Sequence, residues 1–483
     1  MTAHSDDTRF FGHPRGLATL FMTELWERFS YYGMRAILIL FMTAPVAGGG
    51  LGFEVAKAGA IYGFYTSMVY LVSLPGGWVA DRFLGQRRAV LYGGIVMALG
   101  NFSLMAQNIA FFYTGLGLIV IGTGLLKPNI SVLVGQLYTP DDARRDAGFS
   151  IYYMGINIGA FLAPFACGWV GERIDWRLGM GLAGVGMTVG VIQYLLGGKH
   201  LGQAGLRPGG PAGPELKRRV LTGLAIAAVC LTFLALTVGL TAQMLSNALG
   251  FLLFATVAGF FAWMFFFADF TPVERKRMFA VGVLFLASCF FWSVFEQAGS
   301  TLNLFAQRNT NTEVLGFAFP ASWFQSVNAL FIIALAPVFA WLWVRLGARE
   351  PSSPAKFALG LLGAGGGFLL LVAGAQLAET GVRVSPLWLV GVYLLHTIGE
   401  LCLSPVGLSA MTKLAPERIT GLLMGVWFLS ISVGNYLGGR MAALYETLTL
   451  STLLGVVGGF GVAAALLLAC FVKPIKGLMG GVK

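Results

Sequence analysis

The sequence predicts an all-α protein that crosses a membrane many times, and three observations carry that expectation. First, the 483 residues are 57% hydrophobic and only 11% charged, against about a quarter charged in an ordinary soluble domain. Second, the apolar runs have the length of a spanning helix, about 20 residues, and lack the alternating segments of roughly 10 that a β-barrel needs. Third, lysine and arginine alternate loop by loop between a rich side and a poor side. So few charges cannot cover a water-facing surface, which excludes a soluble multidomain enzyme. Disorder needs low hydrophobicity and high charge, and is excluded as well.

Fourteen spans are predicted, at 17–44, 54–80, 87–107, 109–138, 145–170, 177–197, 217–240, 246–270, 277–306, 318–344, 355–378, 387–412, 419–445 and 450–472. The first 16 residues are polar and carry no cleavable signal pattern, so the first span is expected to act as a signal anchor. With the N-terminus placed in the cytoplasm, 23 of the 32 lysines and arginines fall in inner segments and 5 in outer ones. That bias places both termini in the cytoplasm and accounts for the net charge of +11 without a nucleic-acid partner. The stretch from Gly197 to Pro214 is rich in Gly and Pro and reads as a linker. The two spans after it have no ionisable residue in their interior and read as an inserted pair. Removing them leaves six spans on each side. The expected organisation is therefore 1–197, a first six-helix bundle; 198–275, linker and inserted pair; and 276–483, a second six-helix bundle. The basic turn Arg345-Leu346-Gly347-Ala348-Arg349 matches the loop Asp81 to Arg88 in place and in its glycine, as duplicated halves would.

Charges inside the spans are few and costly, about 2.5–3.5 kcal/mol each at a helix centre, so each needs a partner or a wet cavity. Span one holds most of them. Glu24, Arg28, Tyr31 and Arg35 are spaced 4, 3 and 4 apart and share one helical face, with Glu27 beside it. Such a stripe must face a bundle interior. Lys127 lies more than a turn from either end of its span and precedes Pro128, which is expected to break the helix beside a cavity. Glu296 follows Trp292 by four residues. His396, Glu400 and Ser404 share a face, and Pro405 suggests a second break. Gln325 and Asn328 share a face, while Asn157, Tyr70 and Trp427 are single polar or aromatic groups in apolar surroundings. His396 reads as a core residue with one hydrogen bond. The five cysteines all fall in apolar runs, form no CxxC and read as small buried hydrophobes. Four histidines without HExxH exclude a zinc peptidase.

Glu24-Leu-Trp-Glu27-Arg28-Phe29-Ser30-Tyr31-Tyr32-Gly33 resembles the ExxERFxYYG signature of the proton-dependent oligopeptide transporter (POT) family. Phe149-Ser-Ile-Tyr152-Tyr153-Met-Gly-Ile-Asn157-Ile-Gly159 resembles that family's fifth-helix signature. Gly77 to Arg88 is similar to the loop motif of the wider major facilitator superfamily. Phe291-Trp292-Ser-Val-Phe-Glu296-Gln297 and Gly399-Glu400-Leu-Cys-Leu-Ser404-Pro405 resemble the seventh- and tenth-helix patterns. The resemblance implies the major facilitator superfamily fold, two six-helix bundles plus an inserted pair, moving di- and tripeptides with protons across the cell's inner membrane. It implies protons as coupling ion with no other cofactor, a lipid bilayer around the chain and a monomer. Carried over, Glu24, Glu27, Arg28, Lys127 and Glu296 match proton-coupling positions, with Glu296 the acidic partner of a first-helix arginine. Arg35, Tyr32, Tyr70, Lys127, Asn157, Trp292, Asn328, Glu400 and Trp427 match substrate positions. Asp81, Arg82, Arg87 and Arg88 match the gating loop. Mammalian members carry a second-helix histidine; span 54–80 has none, so coupling is expected to rest on carboxylates.

On this reading Lys127 and Arg35 attract a peptide carboxylate and Glu400 the ammonium. Competing readings are a transporter of nitrate or a modified peptide in the same family, and a drug/proton antiporter of the superfamily. A membrane-embedded enzyme would need a metal cluster or a nucleophile–base pair, and neither pattern is present. An ion channel would need a repeated filter.

Overall fold

The computed structural model describes residues 8–139, 142–210, 213–220, 222–223 and 241–481. The predicted span 217–240 therefore lies largely outside the described residues, as does Cys230. The helices, in chain order, are α1 (Arg15–Thr43), α2 (Val55–Leu71), α3 (Ser73–Val79), α4 (Gln86–Ser103), α5 (Ile109–Gln136), α6 (Arg145–Ala163), α7 (Trp169–Arg173) and α8 (Trp176–Gly197). They continue with α9 (Ala242–Ala262), α10 (Pro272–Phe295), α11 (Thr301–Asn309), α12 (Phe324–Leu346), α13 (Ser353–Glu379), α14 (Leu387–Leu414), α15 (Thr420–Ala442), α16 (Leu450–Cys470) and α17 (Val472–Leu478). Among the described residues, 10 helical stretches are long and apolar enough to cross a membrane. Predicted spans one to three fall on other helices: α1, α2 followed by α3, and α4.

Two compact units form. Unit one comprises Met1–Ser30, Val72–Gly159 and Gly181–Leu249; unit two comprises Tyr31–Leu71, Ala160–Met180 and Gly250–Lys483. In unit one α4 lies along α5 with glycines meeting backbone to backbone: a Cβ on Gly93 would strike the Gly122 carbonyl. In unit two α13 packs against both α14 and α16, and α15 against α2 and α10. There Gly59 and Gly63 face Gly439, with no room for a side chain between the backbones. A two-stranded hairpin pairs Glu313–Val314 with Phe317–Ala318 through Leu315 (φ 53°) and Gly316 (φ 78°). Two successive positive φ values are what a tight two-residue hairpin turn requires. Gly85 and Gly347, the glycines of the two matched basic turns, also have positive φ, 76° and 49°.

Four expectations change. Neither Pro128 nor Pro405 breaks its helix; α5 and α14 run through them. Pro128 cannot donate to the Gly124 carbonyl, but that carbonyl is packed against Gly76. Asn129 Nδ2 donates to the Leu125 carbonyl at 2.7 Å and reinforces the same turn. Close neighbours hold a proline-containing helix together where propensity alone would end it. In α14, Gly407 beyond Pro405 admits the Trp427 ring. The break falls instead inside predicted span 277–306. There α10 ends at Phe295, Glu296–Gly299 tighten into a turn, and Ser300 (φ −125°, ψ −88°) restarts the chain as α11. Finally, Gly197–Pro214 is not a free linker in its described part. Arg87 Nη2 donates to Gly198 O at 2.6 Å, Arg87 N to Gly205 O at 3.0 Å, and Gly210 N to Asp81 O at 3.3 Å. Backbone acceptors and donors of a Gly-rich strip suit this because no side chain keeps the partner away.

Candidate functional site

In unit one the first charged cluster is built on α1. Glu24 and Arg28 are one turn apart, and Arg28 Nε reaches Glu24 Oε1 at 3.0 Å and also pairs with Glu27. All three residues are at most 3% exposed. Several kcal/mol per ion would be lost on such burial without partners, so the trio must neutralise itself closely. Tyr152 on α6 donates its hydroxyl to Glu24 Oε2 at 2.7 Å, and Ser131 on α5 lies 3.5 Å from the same hydroxyl. Lys127 on α5 acts electrostatically on Glu27. The cluster thus sets two acids against two bases. Gly159 lets α6 approach α1 at Leu25 and Arg28, where a Cβ would collide. Asn157 is buried, and its amide donates to the Tyr153 carbonyl of its own helix at 3.0 Å.

In unit two Arg35, two turns further along α1, forms an ion pair with Glu296. Its Nε donates to Tyr62 Oη at 2.7 Å, and its Nη2 also approaches the Glu296 carbonyl at 3.5 Å. The guanidinium lies 5.7 Å from the centre of the Tyr32 ring. The break in predicted span 277–306 has its cause here. Gly299 carries no Cβ because Tyr62 Oη and Arg35 occupy that space, and the turn presents both oxygen types of Glu296 to Arg35. Glu400 on α14 accepts from Asn328 Nδ2 at 3.1 Å; the same amide also donates to Thr397 Oγ1 at 3.0 Å. Among the described residues its hydrogen-bonding partner is therefore a neutral amide. Unit two holds two acids, Glu296 and Glu400, against one base of this set, Arg35.

The aromatic positions are buried: Trp292 6%, Trp427 3% and Tyr70 8% exposed, while Tyr32 is half-buried. Trp292 packs edge-on to Phe291 and Phe295, and its Nε1 has no hydrogen-bond partner among the described residues. His396 Nε2 lies 3.1 Å from the Ala364 carbonyl, and the ring stacks on Phe368. In the loop set, Gln86 donates to Asp81 Oδ1 at 2.7 Å, Arg82 reaches Gly210 O at 3.4 Å, and Arg88 is exposed.

The stripe on α1 is thus shared out: Arg28 serves the unit-one cluster and Arg35 the unit-two cluster. Sequence reasoning missed Tyr152, Ser131, Tyr62 and Thr397. Tyr152 stood inside a quoted motif, and Tyr62 was visible as a phenol in an apolar run. Thr397 and Ser131 carried no signal, because hydroxyls occur throughout such helices.

A model described as "POT family" matches residues 87–462. "Peptide transporter YePEPT" of Yersinia enterocolitica is 42% identical over 490 residues, covering 97% of this chain and 96% of its own. The chain belongs to the POT family. A "Di-/tripeptide transporter" of Lactococcus lactis is 38% identical, with 98% of each chain covered. Among solved structures, a peptide transporter POT in complex with sulfate superposes with a TM-score of 0.94 at 44% identity over 98% of each chain. The fold is accordingly that of POT transporters within the major facilitator superfamily, a family of membrane-inserted transporters and not of enzymes.

Proposed function

We propose that this POT-family chain is a proton-coupled symporter importing di- and tripeptides across the cytoplasmic membrane by alternating access. We propose further that it works as a monomer with both termini cytoplasmic, organised as bundles 1–197 and 276–483 with 198–275 between them. The observation that carries the substrate reading is the charge inventory. Glu400 is a carboxylate held by a neutral amide, a ready partner for a peptide ammonium. Lys127 and Arg35 are the cations a peptide carboxylate would seek. A small anion such as nitrate has no group for Glu400, which disfavours that alternative. A drug/proton antiporter has no need of the Glu24-Glu27-Arg28 arrangement.

Coupling follows from the same inventory. In the unit-one cluster two acids face two bases. A substrate carboxylate drawn to Lys127 adds a third negative charge, and a proton on Glu24 or Glu27 restores balance. Proton and peptide carboxylate therefore enter together. Glu296 is the corresponding acid for Arg35. Asn157, Asn328, Tyr32, Tyr70, Trp292 and Trp427 supply hydrogen bonds and apolar surface without adding charge, so side-chain selectivity is broad. One charge crossing 100 mV yields about 2.3 kcal/mol, enough for roughly 50-fold accumulation at about 1.4 kcal/mol per decade.

The test is uptake of labelled dialanine into proteoliposomes under an imposed pH gradient and potential. Glu24→Gln and Glu27→Gln should abolish gradient-driven uptake and leave exchange down a peptide gradient. Wild-type accumulation in both variants would end the coupling assignment. Competition by nitrate instead of dialanine would end the substrate assignment.

A further inference from the structure

A second feature of unit one, away from the charged cluster, is a cavity of about 590 Å³ where α1 begins and α8 ends. Its polar end is formed by Arg9, Arg15, Lys199 and His200, which come from two separate stretches of chain. Its other end is apolar, with Met22 on α1 and Ile192 and Leu196 on α8; the last two are 52% and 72% exposed. The floor is closed by helix contact. Thr23 Oγ1 donates to Gln193 Oε1 at 3.1 Å, and Thr19 lies against Gly197, where a Cβ would collide. Charge bias between loops explains basic residues on this side of the chain, but it does not explain their convergence on one cavity that continues into an apolar groove.

The geometry points to a binding site for an anionic phospholipid of the surrounding bilayer. Its phosphodiester lies among Arg9, Arg15, Lys199 and His200, and one acyl chain runs along Met22, Ile192 and Leu196. Basic pockets between membrane helices recognise anionic headgroups because the permanent charges sit where the headgroup lies. A water-soluble phosphate would use the polar end and leave the apolar half without a function. The site does not depend on what the transporter carries.

Native mass spectrometry of the delipidated full-length protein tests this, with phosphatidylglycerol and phosphatidylcholine of identical acyl chains as probes. The wild type should retain phosphatidylglycerol about tenfold better, a difference of ~1.4 kcal/mol. The variant R9Q/R15Q/K199Q should lose that preference. K217Q/R218Q/R219Q removes three charges that do not line the cavity and should keep it. Val189 also lines the apolar half; Val189→Trp fills it and should weaken phosphatidylglycerol retention with every charge in place, which guards against misfolding of the triple variant. Equal loss in both triple variants would reduce the effect to diffuse attraction and overturn the site. Full displacement by equimolar glycerol phosphate, or unchanged retention in Val189→Trp, would overturn the lipid assignment.

Discussion

The role proposed for Glu400 makes a quantitative prediction. Its carboxylate is oriented by Asn328 Nδ2 at 3.1 Å and paired with no cation among its hydrogen-bond partners in the described residues. A substrate ammonium arriving at about 4 Å gains roughly 4 kcal/mol of attraction at an effective dielectric near 20. Desolvation returns part of this, and net values for hydrogen bonds to charged groups are about 1.5–3 kcal/mol. That corresponds to roughly 10- to 150-fold in affinity at about 1.4 kcal/mol per decade. The assay is competition against labelled dialanine by unlabelled dialanine and by N-acetyl-dialanine, which lacks the ammonium. The wild type should favour the free amine within that range. Glu400→Gln keeps shape and hydrogen bonding but removes the charge, and should bring the ratio close to one. Asn328→Ala leaves the charge and loses only its orientation, so the ratio should fall less. An unchanged ratio in Glu400→Gln would refute the argument, because another group would then be doing the recognition assigned to Glu400.

Other predictions concern the scaffold. Tyr152→Phe deletes the 2.7 Å hydrogen bond to Glu24 and should cost about 1.5–3 kcal/mol of stability; in a Glu24→Gln background the cost should shrink, as a double-mutant cycle in detergent would register. Glu172 accepts from the backbone N–H groups of Ala321 and Ser322, both at 2.9 Å. Glu172→Ala leaves both donors without an acceptor and should lower stability by about 1–3 kcal/mol in a thermal unfolding scan. Gly76→Ala drives a methyl into the Gly124 carbonyl and should cost about 1–3 kcal/mol, seen as a lower unfolding midpoint with α5 distorted at Pro128. His13, whose Nδ1 lies 2.9 Å from the Tyr138 hydroxyl, has its pKa lowered from 6.5 by burial and by the Arg144 charge. The same Arg144 holds the Asp142 carboxyl at about 2. A depressed histidine favours the folded state above its unfolded pKa, so that contribution is lost as the pH falls through 6.5. Unfolding midpoints between pH 8 and 5 should therefore slope less in His13→Phe than in wild type.

The described helical spans and the polar stripe of α1 were legible because each is a property of local spacing. A 20-residue apolar run can hide its backbone only as a helix, and residues 3 and 4 apart share a face whatever surrounds them. Local rules failed where backbone geometry answers to neighbours. Proline propensity argued for breaks at Pro128 and Pro405, and packing overrode it. The break at Glu296–Ser300 was not legible, since it follows from Arg35 and Tyr62 occupying the space beside Gly299. The strip 198–210 read as linker by composition, yet its bare backbone is what docks on Arg87 and Asp81.

The amino-acid pattern alone was enough to show that this chain crosses a membrane as helices and that its few stranded charges must find partners. Packing then sorted the pairs: Arg28 stays with Glu24 and Glu27, Arg35 is the first-helix arginine that takes Glu296, 261 residues away, and Glu400 meets an amide. The difference is one of range. Helical periodicity acts over a turn or two of chain, whereas the pairing of buried charges depends on which faces meet across helices, and that is set by packing.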